Sequence, residues 1–212
     1  MKKLLKDSIA KAITYQEYNL IVAQLVTERR TSGLEQSQEK IDFTKLNASR
    51  GKRLDKTAFL SPEQIERFNS VATDQIWLTV TESWCGDAAQ TVPFLNKIAE
   101  ASSKISLKIL FRDENEALMN AFLTNGTKSI PKLIVLDPQY NVLASWGSRS
   151  ETASKLVHAY KIKHGKLDDR FKQALQIWYN KNQGHSLLND LIALTSKASD
   201  SVKNSNKIEI TS

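Results

Sequence analysis

A β-branched and aromatic run, Gln75-Ile-Trp-Leu-Thr-Val-Thr81, gives way within a few residues to a helical stretch from about Gly86 to Ala101. The run has the composition of a buried strand. The link Trp84-Cys85-Gly86-Asp87 is long enough only for a tight strand-to-helix turn. Ser106–Arg112 alternates as a second strand, Asn115–Leu123 reads as a short helix stopped by Asn125-Gly126, and Lys132–Asp137 is a third strand. Pro138–Asn141 is a turn into Val142–Trp146, so these last two strands form a hairpin, and Arg149–His164 is helical. The order β-α-β-α-β-β-α over residues 72–164 predicts an α/β domain, a mixed sheet flanked by helices on both faces.

The flanks have a different character. Residues 1–71 read as a helical N-terminal extension, in which Tyr18, Ile21, Val22, Leu25 and Val26 form an apolar stripe at helical spacing. Ile41–Asn47 is a weaker helix, and Asn47–Lys56 reads as a basic, glycine-containing loop. Ser61-Pro62-Glu63-Gln64 is a strong helix start, with a capping residue, proline at the first helical position and an acidic first turn. That helix is expected to reach about Ser70. Residues 165–196 hold two C-terminal helices, near Leu167–Asn182 and Ser186–Leu194. The Ser/Asn/Lys-rich stretch 197–212 is expected to be a flexible tail.

Of 212 residues, one is a cysteine, so no internal disulfide can form and a cysteine-based zinc site is nearly excluded. A reducing, cytoplasmic setting follows as the expectation. No apolar run approaches the roughly 20 residues that span a bilayer. Asp7 and Lys11 break up the basic N-terminus as a secretory signal. The net charge of +7 sits on the flanks, with +3 in residues 1–74, zero in 75–149 and +4 in 150–212. The flanks could meet an anionic partner. The lack of a dense Arg/Lys block or an aromatic-interleaved basic stripe favours solvated lysines instead, and no nucleic-acid partner is expected. His158, His164 and His185 are isolated and no glycine-rich phosphate loop is present, so neither a metal nor a cofactor is expected. Trp77, Trp146 and Trp178 are assigned to the core, and Asp168-Asp169 to a helix N-terminus.

Cys85 is the residue placed to do chemistry. At a strand-to-helix junction, free N–H groups and the positive end of the helix dipole favour a thiolate, the nucleophilic form of the side chain. Gly86 would leave the sulfur approachable and Trp84 would supply a flat apolar wall. Asp87 works the other way, since a neighbouring carboxylate disfavours a second negative charge. The alternative is that Cys85 is an inert small hydrophobe.

The stretch Thr81-Glu-Ser-Trp-Cys-Gly-Asp-Ala88 resembles the Trp-Cys-x-x-Cys active-site motif of the thioredoxin family. Pro93, eight residues past the cysteine, stands where that family carries a helix-kinking proline, and Ile130-Pro131 resembles its cis-proline facing the catalytic sulfur. Gly147 also falls as in thioredoxins. The likeness covers about residues 72–164 and is closest to bacterial thioredoxin-like proteins with an N-terminal helical extension. It implies a thioredoxin-like fold, with Cys85 as the nucleophile, Trp84, Gly86, Asp87 and Ala88 shaping the site, and Ile130 and Pro131 binding substrate. Pro131 could equally be a structural turn. Two departures stand out: Ala88 replaces the second cysteine, and Thr79 occupies the position of the family's buried acid. Without a resolving thiol, dithiol turnover is lost. A single-thiol exchange remains, in which an external thiol such as glutathione releases the mixed disulfide. Its partner would be a protein or small-molecule thiol or disulfide. The other reading is a redox-inactive thioredoxin-fold module that holds a partner. Glu82 sits where a peroxiredoxin carries threonine, so peroxidase chemistry is disfavoured.

Overall fold

The structure is a computed structural model that describes the backbone of residues 1–210 and side chains as far as Ala198. The chain runs α1 (Lys2–Lys11), α2 (Tyr15–Thr27), α3 (Gln38–Thr57), α4 (Pro62–Asn69), β1 (Gln75–Thr81), α5 (Ala88–Ala101), β2 (Ile105–Phe111), α6 (Glu116–Ala121), β3 (Lys132–Leu136), β4 (Val142–Gly147), α7 (Glu151–His164), α8 (Asp169–Asn182) and α9 (His185–Ile210). The four strands form one mixed sheet in the order β2-β1-β3-β4. β1 and β2 are parallel, and both β1/β3 and β3/β4 are antiparallel. This is the expected α/β architecture.

Local chemistry explains where the elements begin. In α4, Gln64 N–H donates to the Ser61 hydroxyl while the Gln64 side chain accepts from Ser61 N–H, with proline at the helix start. Thr14 and Glu17 make the same reciprocal cap on α2. The β3–β4 hairpin turns on Asp137, whose carboxylate accepts from the N–H groups of Gln139 and Asn141, both at 2.8 Å. Asp168 caps α8 by accepting from Phe171 N–H at 2.8 Å.

One local expectation is overturned. Asn47–Lys56 is not a loop but the second half of α3. A mid-helix glycine costs only about 1 kcal/mol relative to alanine, and tertiary anchors outweigh it. Asn47 and Leu54 are buried and Tyr15 O–H donates to Asp55 at 2.6 Å. At the other end of the chain, α9 continues through the segment expected to fray, as far as Ile210; residues 211–212 lie outside the described residues.

The main core is continuous across the flanks. Leu5, Tyr15, Leu54, Leu60 and Phe68 join the strand residues Trp77, Leu78, Ile109, Leu133 and Val135 in one cluster, and so do Leu187, Leu188 and Leu191 of α9. α9, the last helix, is the one that packs against β4, and α5 packs on β2. α7 and α8 instead share a small separate cluster of Ala153, Val157 and Leu175, lined by Leu167, Phe171, Trp178 and Tyr179. Trp77 is fully buried, while Trp146 and Trp178 pack partly buried against the two clusters. On the outer side of β2, Ile13 exchanges two backbone hydrogen bonds with Ile109, at 2.9 and 2.8 Å. Among the described residues no helix is long and apolar enough to cross a membrane.

Candidate functional site

Cys85 lies in the first turn leading into α5, where its carbonyl accepts from Ala89 N–H at 3.1 Å. The thiol accepts from Ala88 N–H at 3.4 Å and donates to the carbonyl of Ile130 at 3.4 Å. The Ile130-Pro131 peptide is cis, and the hydrogen bond to the Ile130 carbonyl sets the sulfur beside it. Gly147 lets the chain after β4 pass close by: at φ 137 it runs so tightly over Pro131 that a Cβ would collide with the Pro131 carbonyl. The structure thus brings together Cys85, Ala88, Ile130 and Pro131.

The electrostatics depart from expectation. The side chain of Cys85 is only 7% exposed, and its pKa is pushed up to about 12. Burial is the larger cause and the Asp87 carboxylate adds to it; the N–H groups of Ala88 and Asp87 and the Arg149 guanidinium pull the other way and lose. In place of the expected open, partly ionised sulfur, the structure has a buried one whose pKa burial raises. The helix start is there, but the desolvation of a fully covered anion exceeds what two N–H groups return.

The residues that follow the sulfur are held by side chains far along the chain. Asp87 is held by an ion pair to Arg149 at 2.6 Å and by the Tyr179 hydroxyl, which donates to it at 2.8 Å. Burial, with the Asp87 carboxylate next to it, pushes the Tyr179 phenol well up, so it stays a donor. Gly86 does not open the site, because Gln176 of α8 faces it, with Nε2 at 3.5 Å from the Gly86 carbonyl, and Gln90 donates to Gln176 Oε1 at 2.9 Å. Trp84 is half-buried, its ring flanked by the ammonium of Lys40 at 4.6 Å and the guanidinium of Arg112 at 5.0 Å.

On the other side, the N-terminal extension grips the residues before the motif. The Ser32 hydroxyl donates to Glu82 Oε2, and Asp113 N–H donates to the other carboxylate oxygen at 2.8 Å. Ser83 N–H donates to Ser32 Oγ at 2.8 Å, and the Ser83 hydroxyl meets those of Thr31 and Thr44 at 3.2 and 2.8 Å. Asn47 Nδ2 donates to the Ser83 carbonyl at 3.1 Å. Glu82 is fully buried, and this burial raises its pKa in spite of those donors. Thr79, also fully buried, has a hydroxyl without a hydrogen-bond partner among the described residues.

Arg149, Gln176, Tyr179 and Ser32 were invisible to sequence reasoning. They lie some 50 to 95 residues from the motif in sequence and belong to no short pattern; the one available hint was the proximity of Arg149 to Gly147. His158, His164 and His185 stay apart from the site, and His164 stacks on Tyr160 at 4.2 Å. Among the described residues no group of three or more His, Cys, Asp or Glu side chains could hold a metal ion.

Comparison with known proteins bears on the fold. A family model described as Thioredoxin matches residues 33–161. Among solved structures, a Pseudomonas aeruginosa protein of unknown function superimposes with a TM-score of 0.58 at 19% identity, over 90% of this chain and 96% of that one. An HIV epitope-scaffold does so with a TM-score of 0.53 at 19% identity, over 87% and 98%. At such identities these structures show the fold alone, but they extend it over the helical flanks as well. No curated protein matches the chain. With the cis-proline beside the cysteine at the start of α5, and a family match over more than half its length, the chain belongs to the thioredoxin family.

Proposed function

We propose that this protein is a redox-inactive thioredoxin-fold binding module, working in a reducing compartment, whose single thiol stays protonated and shut away at neutral pH. The observation that carries this reading is the burial of Cys85, next to an Asp87 that Arg149 and Tyr179 hold in place. Burial, with the Asp87 carboxylate beside it, holds the thiol in its protonated form at neutral pH. With Ala88 in place of a second cysteine, nothing within the chain can resolve a mixed disulfide. The test is alkylation of Cys85 by iodoacetamide at pH 7, read by mass spectrometry. Folded protein is expected to react at least about a hundredfold more slowly than urea-unfolded protein, and equal rates would overturn the reading.

A second reading is single-thiol exchange, favoured by the placement of Sγ within 3.4 Å of both Ala88 N and the Ile130 carbonyl. The Cys85 thiolate would attack a disulfide and expel one thiolate, forming a mixed disulfide. An external thiol, glutathione or another small thiol, would then release Cys85 in its turn. Protein or small-molecule disulfides would be the partners. Disulfide reduction in the presence of glutathione that is abolished by Cys85→Ser distinguishes this reading from the first.

A further inference from the structure

α8 is built unlike the helices around it. Leu175 is its single buried side chain, and that residue packs into the small cluster with Ala153 and Val157 of α7, not into the main core. Its hold on the rest of the molecule is mostly polar: Tyr179 to Asp87 at 2.8 Å, Gln176 to Gln90 at 2.9 Å, Asn180, whose Oδ1 accepts from Arg53 at 2.7 Å, and Lys172, 3.8 Å from Glu39 and over the Phe43 ring. Its exit is left-handed backbone, whereas its N-cap Asp168 is extended. Gln183 and Gly184, just after it, have φ 51 and φ 81, and Gly165, which closes α7 before the short link to α8, has φ 76. A cleft lined by Gln90, Phe94, Trp178, Tyr179 and Leu187 lies between α8 and the body beneath. Elements with little buried apolar surface and solvent-facing polar contacts are the ones that open locally.

We propose that α8 is a lid over Cys85, closed in this conformation and able to lift while the main core stays intact. The proposal rests on the closed-thiol reading and adds to it the element that closes the thiol. Lifting α8 removes Tyr179 from Asp87 and Gln176 from Gly86, the two residues that follow the sulfur into α5. Gln183 and Gly184 at its exit, and the link from Gly165 to Asp168 before it, absorb the backbone change. The main core, which closes through α9, loses no member.

Two measurements test the lid. Tyr179→Phe keeps the ring and removes the hydroxyl; it is expected to speed alkylation of folded Cys85 about tenfold, the change that one lost hydrogen bond to a carboxylate corresponds to, without a matching fall in melting temperature. In the unaltered protein, hydrogen–deuterium exchange is expected to show α8 amides opening well before those of β1 and β3. The lid is overturned if Tyr179→Phe alkylates at the wild-type rate, or if α8 amides are protected as strongly as the sheet. These failures differ from failure of the closed-thiol reading, which shows as fast alkylation of the unaltered folded protein.

Discussion

Cys85 shows how one sulfur can sit at the start of a helix and still have its pKa raised. Two N–H groups and a guanidinium favour its anion, and burial with the Asp87 carboxylate outweighs them. Removing that carboxylate's charge shifts the balance. Asp87→Asn is expected to lower the Cys85 pKa from about 12, though burial keeps it above that of a free thiol. Thiolate absorbance against pH measures it, and an unchanged midpoint would show the carboxylate to be irrelevant. Ser32 is the matching residue on the other side of the motif. Ser32→Ala takes a donor from the buried Glu82 and the acceptor from Ser83 N–H, so it is expected to cost about 1–3 kcal/mol of stability in urea unfolding. A loss within error of zero would mean that the network reforms around a water.

Among the elements, α8 and its exit make the sharpest forecast. Gly184 has φ 81, and a Cβ there would run into the ring of Phe94. Gly184→Ala combines backbone strain with a steric clash and is expected to cost about 1–3 kcal/mol, measurable as a lower urea midpoint. Elements were legible in the sequence where their ends carry local chemistry. The Ser61-Pro62 start of α4, the extent of β1 and the Asp168 cap of α8 all depend on residues within a few positions of each other. α3 was not legible beyond Asn47, because what keeps Gly51 helical is the packing of Asn47, Leu54 and Asp55 against distant residues. For the same reason the motif Trp84–Ala88 and Pro131 could be read from sequence while the side chains that hold the motif could not. Arg149, Gln176 and Tyr179 reach the site only through the path of the folded chain.

Over the whole molecule, the buried acids set the response to pH. Cys85, Tyr15, Tyr18 and Tyr179 are all raised, burial being the first cause in each. A group held protonated in the folded state, but free to ionise when unfolded, contributes stability that is complete below its unfolded pKa and is lost as pH rises towards its folded one. The thiol therefore begins to draw stability away near its ordinary value of 9.0 and continues to about 12. The melting temperature is expected to fall steadily above pH 9, and Cys85→Ala to flatten the first part of that fall; a flat profile in the unaltered protein would contradict the burial of these groups. The pairing of Ile13 with Ile109 has a different consequence at this scale. β2 is the outermost strand on its side, and the connection between α1 and α2 stoppers its spare amides and carbonyls at that point. A copy trimmed of residues 1–14 would offer a bare ribbon on which further copies could stack, so this short crossing guards the molecule against self-templated polymerisation.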